Sequence, residues 1–106
     1  MRKSKLARLQ TKGWKFGSAG DFLELSPEER AYVELKLSLS DGIRELRNQT
    51  GITQTELAER LSSSQSRVAK IERGDPSVSV DLMVRSLLAL GMSRRELGRL
   101  IAASAA

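Results

Sequence analysis

From Ser26 onward, apolar residues recur at intervals of three and four, the spacing of a helix face rather than of a strand. Tyr32, Leu35, Leu39, Ile43 and Leu46 form the first such stripe, and Val33 with Leu37 begins a second over its first half. Ser26-Pro27-Glu28-Glu29 opens this helix: serine caps, proline suits the first position, and acids meet the positive end of the dipole. The pattern runs to Gln49 or Thr50 and stops at Gly51. Gly42 lies inside it, where glycine costs about 1 kcal/mol relative to alanine, so a weakened or bent helix is expected there.

Two shorter helices follow. Thr53-Gln54-Thr55-Glu56 is a capping box, and Leu57, Ala58 and Leu61 behind it share one apolar side. Ser62-Ser63-Ser64 breaks the pattern, because serine hydroxyls compete for backbone hydrogen bonds and favour turns. Ser64 then caps a helix over residues 65–73 that Gly74 terminates, with Asp75-Pro76 behind it. Further on, Ser79 caps a helix over residues 80–90 with Val80, Met83, Val84, Leu87 and Leu90 as its core arc and Gly91 as its stop. Leu82 falls nearly opposite that arc and Leu88 on its rim. Ser93-Arg94-Arg95-Glu96 is a second capping box, opening a last helix that carries Leu97, Leu100 and Ile101.

The pattern therefore predicts an all-α fold of five helices, with a long first helix. Residues 1–25 show no sustained periodicity and are expected to form a basic arm; residues 26–106 are expected to form one small domain. Charge sharpens this division. Residues 1–16 hold six Lys or Arg and no acid, residues 17–41 hold six acids against two bases, and residues 42–106 hold ten bases against seven acids. Trp14, Phe16 and Phe22 in and beside the arm suit a protein groove better than a phosphate backbone.

Composition narrows the chemistry. Histidine and cysteine are both absent, which removes the usual general base, the usual activated nucleophile and the usual transition-metal ligands. No catalytic constellation, metal site or cofactor is expected. No apolar run approaches the roughly 20 residues that span a bilayer, so no membrane association is expected and a cytoplasmic location is.

The helix over residues 65–73 carries the functional signal. Advancing each residue by about 100° places Val68 and Ile71 inward. Gln65, Ser66, Ala69, Lys70 and Arg73 fan outward, Arg67 sits on a flank, and Glu72 lies nearer the inward edge. An amide, a hydroxyl and cations without an acid suit the major groove of DNA, where glutamine pairs with adenine, lysine with guanine and serine with either.

Thr53 to Gly74 resembles the helix-turn-helix of the phage repressor/Cro (XRE) family, whose pattern reads roughly LTQxELAxxLGVSxSxISxIERG. Ile52-Thr53-Gln54, Glu56-Leu57-Ala58, Leu61, Ser64, Ser66, Val68 and Ile71-Glu72-Arg73-Gly74 match it. Ser62 stands where the family usually has glycine, implying a non-glycine residue at positive φ at a cost of about 1 kcal/mol. Ser63 replaces an inward apolar residue. With its flanking helices the resemblance covers about residues 36–98, so residues 27–35 are an extension of the first helix.

What the resemblance implies is a compact repressor-like domain that binds a double-stranded DNA operator as a homodimer. Its DNA-binding residues would be Gln54, Ser64, Gln65, Ser66, Arg67, Lys70 and Arg73. Gln65 and Ser66 would meet base edges, and Lys70 a base or phosphate. Gln54 would touch a phosphate and brace Gln65, while Arg67 and Arg73 would take phosphates. Glu72 would pair with Arg47 as a structural contact. Two functions fit: a transcriptional repressor, or the antitoxin of a HigA-like pair that neutralises an RNA-cleaving toxin and represses its own operon. The leucines at 82, 88, 97 and 100 are expected at the homodimer contact.

Overall fold

The computed structural model describes residues 24–103. Residues 1–23 of the expected basic arm, with Trp14, Phe16 and Phe22, lie outside them; of its last two residues Leu25 is buried rather than part of a free arm. Helix α1 spans Pro27–Thr50, α2 Gln54–Arg60, α3 Gln65–Glu72, α4 Val80–Ala89 and α5 Arg94–Ala103. No strand occurs among the described residues, so the fold is the expected all-α, five-helix one. α1 is the spine: α3, α4 and α5 all pack on it, while α2 packs on α3 and α4.

The caps stand where the sequence puts them. Ser26 Oγ accepts from Glu29 N and Glu29 reaches back to Ser26 N, with Pro27 at the first position. Gly51 ends α1 in the left-handed conformation at φ 75°. Ser79 Oγ accepts from Leu82 N, and Ser93 with Glu96 completes the box at α5. Ser62 does take positive φ, at 52°.

The core joins Leu39 and Ile43 of α1, Leu57, Ala58 and Leu61 around α2, Val68 and Ile71 of α3, and Met83, Leu87 and Leu90 around α4. Val78, from the α3–α4 connection, completes it.

Two helices are rotated relative to the apolar stripes. In α1 the buried line is Glu29, Val33, Lys36, Ser40 and Ile43, with Leu39 beside it. Tyr32, Leu35 and Leu46 are only half-buried, and Leu37 is 37% exposed. An apolar stripe misses this face because three of its positions are polar: Glu29 closes the cap with Ser26 N, Lys36 reaches Pro76 O, and Ser40 is small enough to be buried with them. In α4, Leu82 packs against the core rather than facing away from it, and Val84 is half-buried outside the core cluster. Ser86 is fully buried there because its hydroxyl donates to Leu82 O at 2.8 Å, so it brings its own partner inside.

Gly42 does not interrupt α1, which is helical on both sides of it. Its role is spatial: a Cβ at this position would stand 2.8 Å from Leu100 Cδ2, so glycine lets α5 lie close on α1. α5 buries no residue fully; Leu97 and Leu100 are half-buried against the core and Ile101 is exposed.

Candidate nucleic-acid interface

The site is built from α2, the serine turn and α3. Thr53 and Glu56 exchange backbone and side-chain bonds at 3.1 Å each, which fixes where α2 begins. Hydrogen bonds from Ser62 N to Glu59 O and from Ser63 N to Ala58 O close α2 into the turn. Ser64 Oγ then accepts from Arg67 N at 3.2 Å and lies 3.2 Å from Ser66 Oγ, starting α3.

α3 divides as its sequence predicts. Val68, Ile71 and Glu72 are buried, whereas Gln65, Ser66, Arg67, Lys70 and Arg73 are exposed. Ser64, Ser66, Arg67 and Lys70 line a small polar recess at its start. The outward side thus offers an amide, hydroxyls and three cations, with no carboxylate of its own helix among them.

A relay of side chains runs behind this face. Gln65 Nε2 donates to Gln54 Oε1 at 2.6 Å, and Gln54 Nε2 donates to Glu72 Oε1 at 3.1 Å. Arg47 forks onto the same carboxylate, Nη2 to Oε1 at 2.9 Å and Nε to Oε2, and its Nη1 reaches Ile52 O at 3.0 Å. The bond to Glu72 holds the Arg47 guanidinium above its ordinary range. Arg47, on α1, is thereby tied through Glu72 and Gln54 to the amide of Gln65. The expected Arg47–Glu72 pair and the bracing of Gln65 by Gln54 are both present.

The far end of α3 is secured differently. Gly74, at φ 72°, follows the helix, with Gly74 N donating to Ile71 O and Asp75 N to Lys70 O. Asp75 accepts from Ser77 N and Oγ, which pulls its carboxyl below the usual range, and stands 4.0 Å from Arg73. Arg44 Nη1 donates to Glu72 O at 3.0 Å. Lys36, only 2% exposed, donates from Nζ to Pro76 O at 3.0 Å.

Neither Arg44 nor Lys36 was visible to a motif match. The signal for Lys36 was the spacing 29, 33, 36, 40, 43, a helix face once polar residues are admitted to it.

Among the described residues no group of acidic side chains is arranged to hold a metal ion, and no helix is long and apolar enough to cross a membrane. A helix-turn-helix family model matches residues 43–97. No curated protein and no solved structure matches the chain. With the capped pair α2–α3, the tight turn between them and a match over more than half its length, the chain belongs to the XRE-type helix-turn-helix family of DNA-binding transcription regulators.

Proposed function

We propose that this chain is a sequence-specific repressor that binds its operator as a homodimer, laying α3 in the major groove. The observation that carries the reading is the relay from Arg47 through Glu72 and Gln54 to Gln65. An amide already held in one orientation loses little freedom on meeting a base edge, so more of the contact energy appears as affinity. Gln65 and Ser66 read bases, Lys70 takes a base or phosphate, and Gln54, Ser64, Arg67 and Arg73 track the backbone. Residues 26–106 form the DNA-binding domain and residues 1–25 a basic arm. The protein works on cytoplasmic DNA without a cofactor or a catalytic residue.

The test uses an operator selected from random duplexes. Gln65→Ala costs about 1–3 kcal/mol on that operator and relaxes one base position, whereas Arg73→Ala weakens all duplexes alike and lowers the salt slope by about one charge. Equal losses by both variants on selected and random DNA would show that the two roles are misassigned.

A second reading is an antitoxin that also neutralises an RNA-cleaving toxin. Its support is the charge balance of residues 17–41, six acids against two bases, which lies before the matched region and suits a basic partner. A small basic protein encoded beside this gene, co-purifying with it and losing ribonuclease activity in the complex, separates this reading from a plain repressor.

A further inference from the structure

The segment that follows α3, Gly74 to Pro76, is met by residues of α1 that precede the family-matched region. Lys36 Nζ donates to Pro76 O at 3.0 Å, and Leu37 Cδ2 lies 3.1 Å from where a Cβ on Gly74 would stand. Between these two points the chain is short and braced. Asp75 N is bonded to Lys70 O, Val78 N to Asp75 O, and Pro76 and Val78 are buried. Asp75 in turn faces Arg73 at 4.0 Å. Pro76 is three residues from Arg73, and Asp75 between them is bonded to Lys70 O, so the position of Pro76 bears on the backbone from which Arg73 projects.

Burying an ammonium is a poor way to gain stability, since a hydrocarbon of similar volume would lose no hydration. Burial does push the Lys36 ammonium below the usual lysine range, with Asp75 acting in the opposite sense. What an ammonium supplies, and a hydrocarbon cannot, is a directed bond to one carbonyl. The Tyr32 ring, centred 5.6 Å from Nζ, covers it from another side.

We propose that Lys36 and Leu37 are positioning residues for operator binding: without touching DNA, they set where the end of α3, and hence Arg73, stands against the phosphate backbone. The proposal rests on the reading of Arg73 as a phosphate contact. It extends the DNA-binding machinery to a stretch of α1 outside the matched residues.

The test is a double-mutant cycle on the selected operator, with folding checked by circular dichroism at the titration temperature. Lys36→Met keeps the chain length and loses the donor; it is expected to weaken operator binding about tenfold in the parent, yet at most about twofold when Arg73 is already alanine. Lys36→Arg, which keeps a cationic donor, is expected to restore binding to within about twofold of the parent. Leu37 is 37% exposed, so Leu37→Ala preserves the fold and provides the same cycle if Lys36→Met does not fold. Parent-like operator affinity in both Lys36→Met and Leu37→Ala, or for the folded variants an equal loss with and without Arg73, overturns the proposal. Arg73→Ala alone reports separately: if it leaves DNA affinity unchanged, the phosphate role of Arg73 fails on its own account.

Discussion

Glu72 shows what one residue does for this site. It is 6% exposed and its carboxylate receives Arg47 and Gln54, while its backbone carbonyl receives Arg44. A carboxylate taken out of water needs such donors, and losing the cation leaves a buried charge with only an amide to meet it. Arg47→Ala is accordingly expected to cost about 3 kcal/mol in urea unfolding, more than an exposed pair can supply. A loss below about 1 kcal/mol would mean that Glu72 finds water when Arg47 is gone. The pair Arg44–Asp41, exposed on α1 at 2.8 Å, is the contrast: its worth lies in orienting Arg44 toward Glu72 O, not in its Coulomb energy.

At the scale of helices, termini carry the pH dependence. Glu56 and Glu96 are held below their ordinary value of 4.5 by the amide and hydroxyl of Thr53 and of Ser93. A carboxyl depressed in the folded state contributes stability above its unfolded pKa and loses it as pH falls through its folded one. Stability is therefore expected to drop below pH 4.5, and less steeply in a Glu56→Gln, Glu96→Gln variant. Identical acid profiles for the two proteins would refute the capping origin.

The α1–α5 contact makes a second prediction at this scale. Gly42→Ala gains about 1 kcal/mol of helix propensity but drives a methyl to 2.8 Å from Leu100 Cδ2. Net stability should stay within about 1 kcal/mol of the parent while amides of α5 exchange faster, because displacing the Leu100 side chain loosens the packing that holds α5 on α1. A full stabilisation with α5 exchange unchanged would show that Leu100 moves without cost.

For the whole molecule the question is how one short α3 achieves selectivity. A single recognition helix covers only a few base pairs, whereas two related by a two-fold axis read half-sites about one turn apart. Leu88 on α4 is 43% exposed, and we propose that it lies at such a two-fold contact. Leu82, Leu97 and Leu100 are all half-buried against the core, so of the four leucines expected at the contact Leu88 alone is exposed. Leu88→Glu is expected to shift the protein toward monomer in sedimentation and to weaken operator binding while leaving its thermal unfolding nearly unchanged. A parent protein that stays monomeric at tens of micromolar and binds one protomer per operator would exclude the dimer.

Much of this was already decided by local sequence. Capping serines, terminal glycines and apolar spacing specify five helices, because helix ends and faces depend on residues a few positions apart. The outward side of α3 followed for the same reason: Val68 and Ile71 must be buried, so Gln65, Ser66, Lys70 and Arg73 cannot be. Local pattern could not decide which polar residues go inside. Lys36 is buried because Pro76, forty positions away, presents a carbonyl to it, and Ser86 because Leu82 O is within its reach. Nor could it show that Gly42 is needed by Leu100, since a clash between α1 and α5 exists only once the helices are packed. Helix identity and the outward face of α3 were fixed by neighbours in the chain; the rotation of α1 and α4, and the bracing of α3 from behind, came from partners that only tertiary packing brings together.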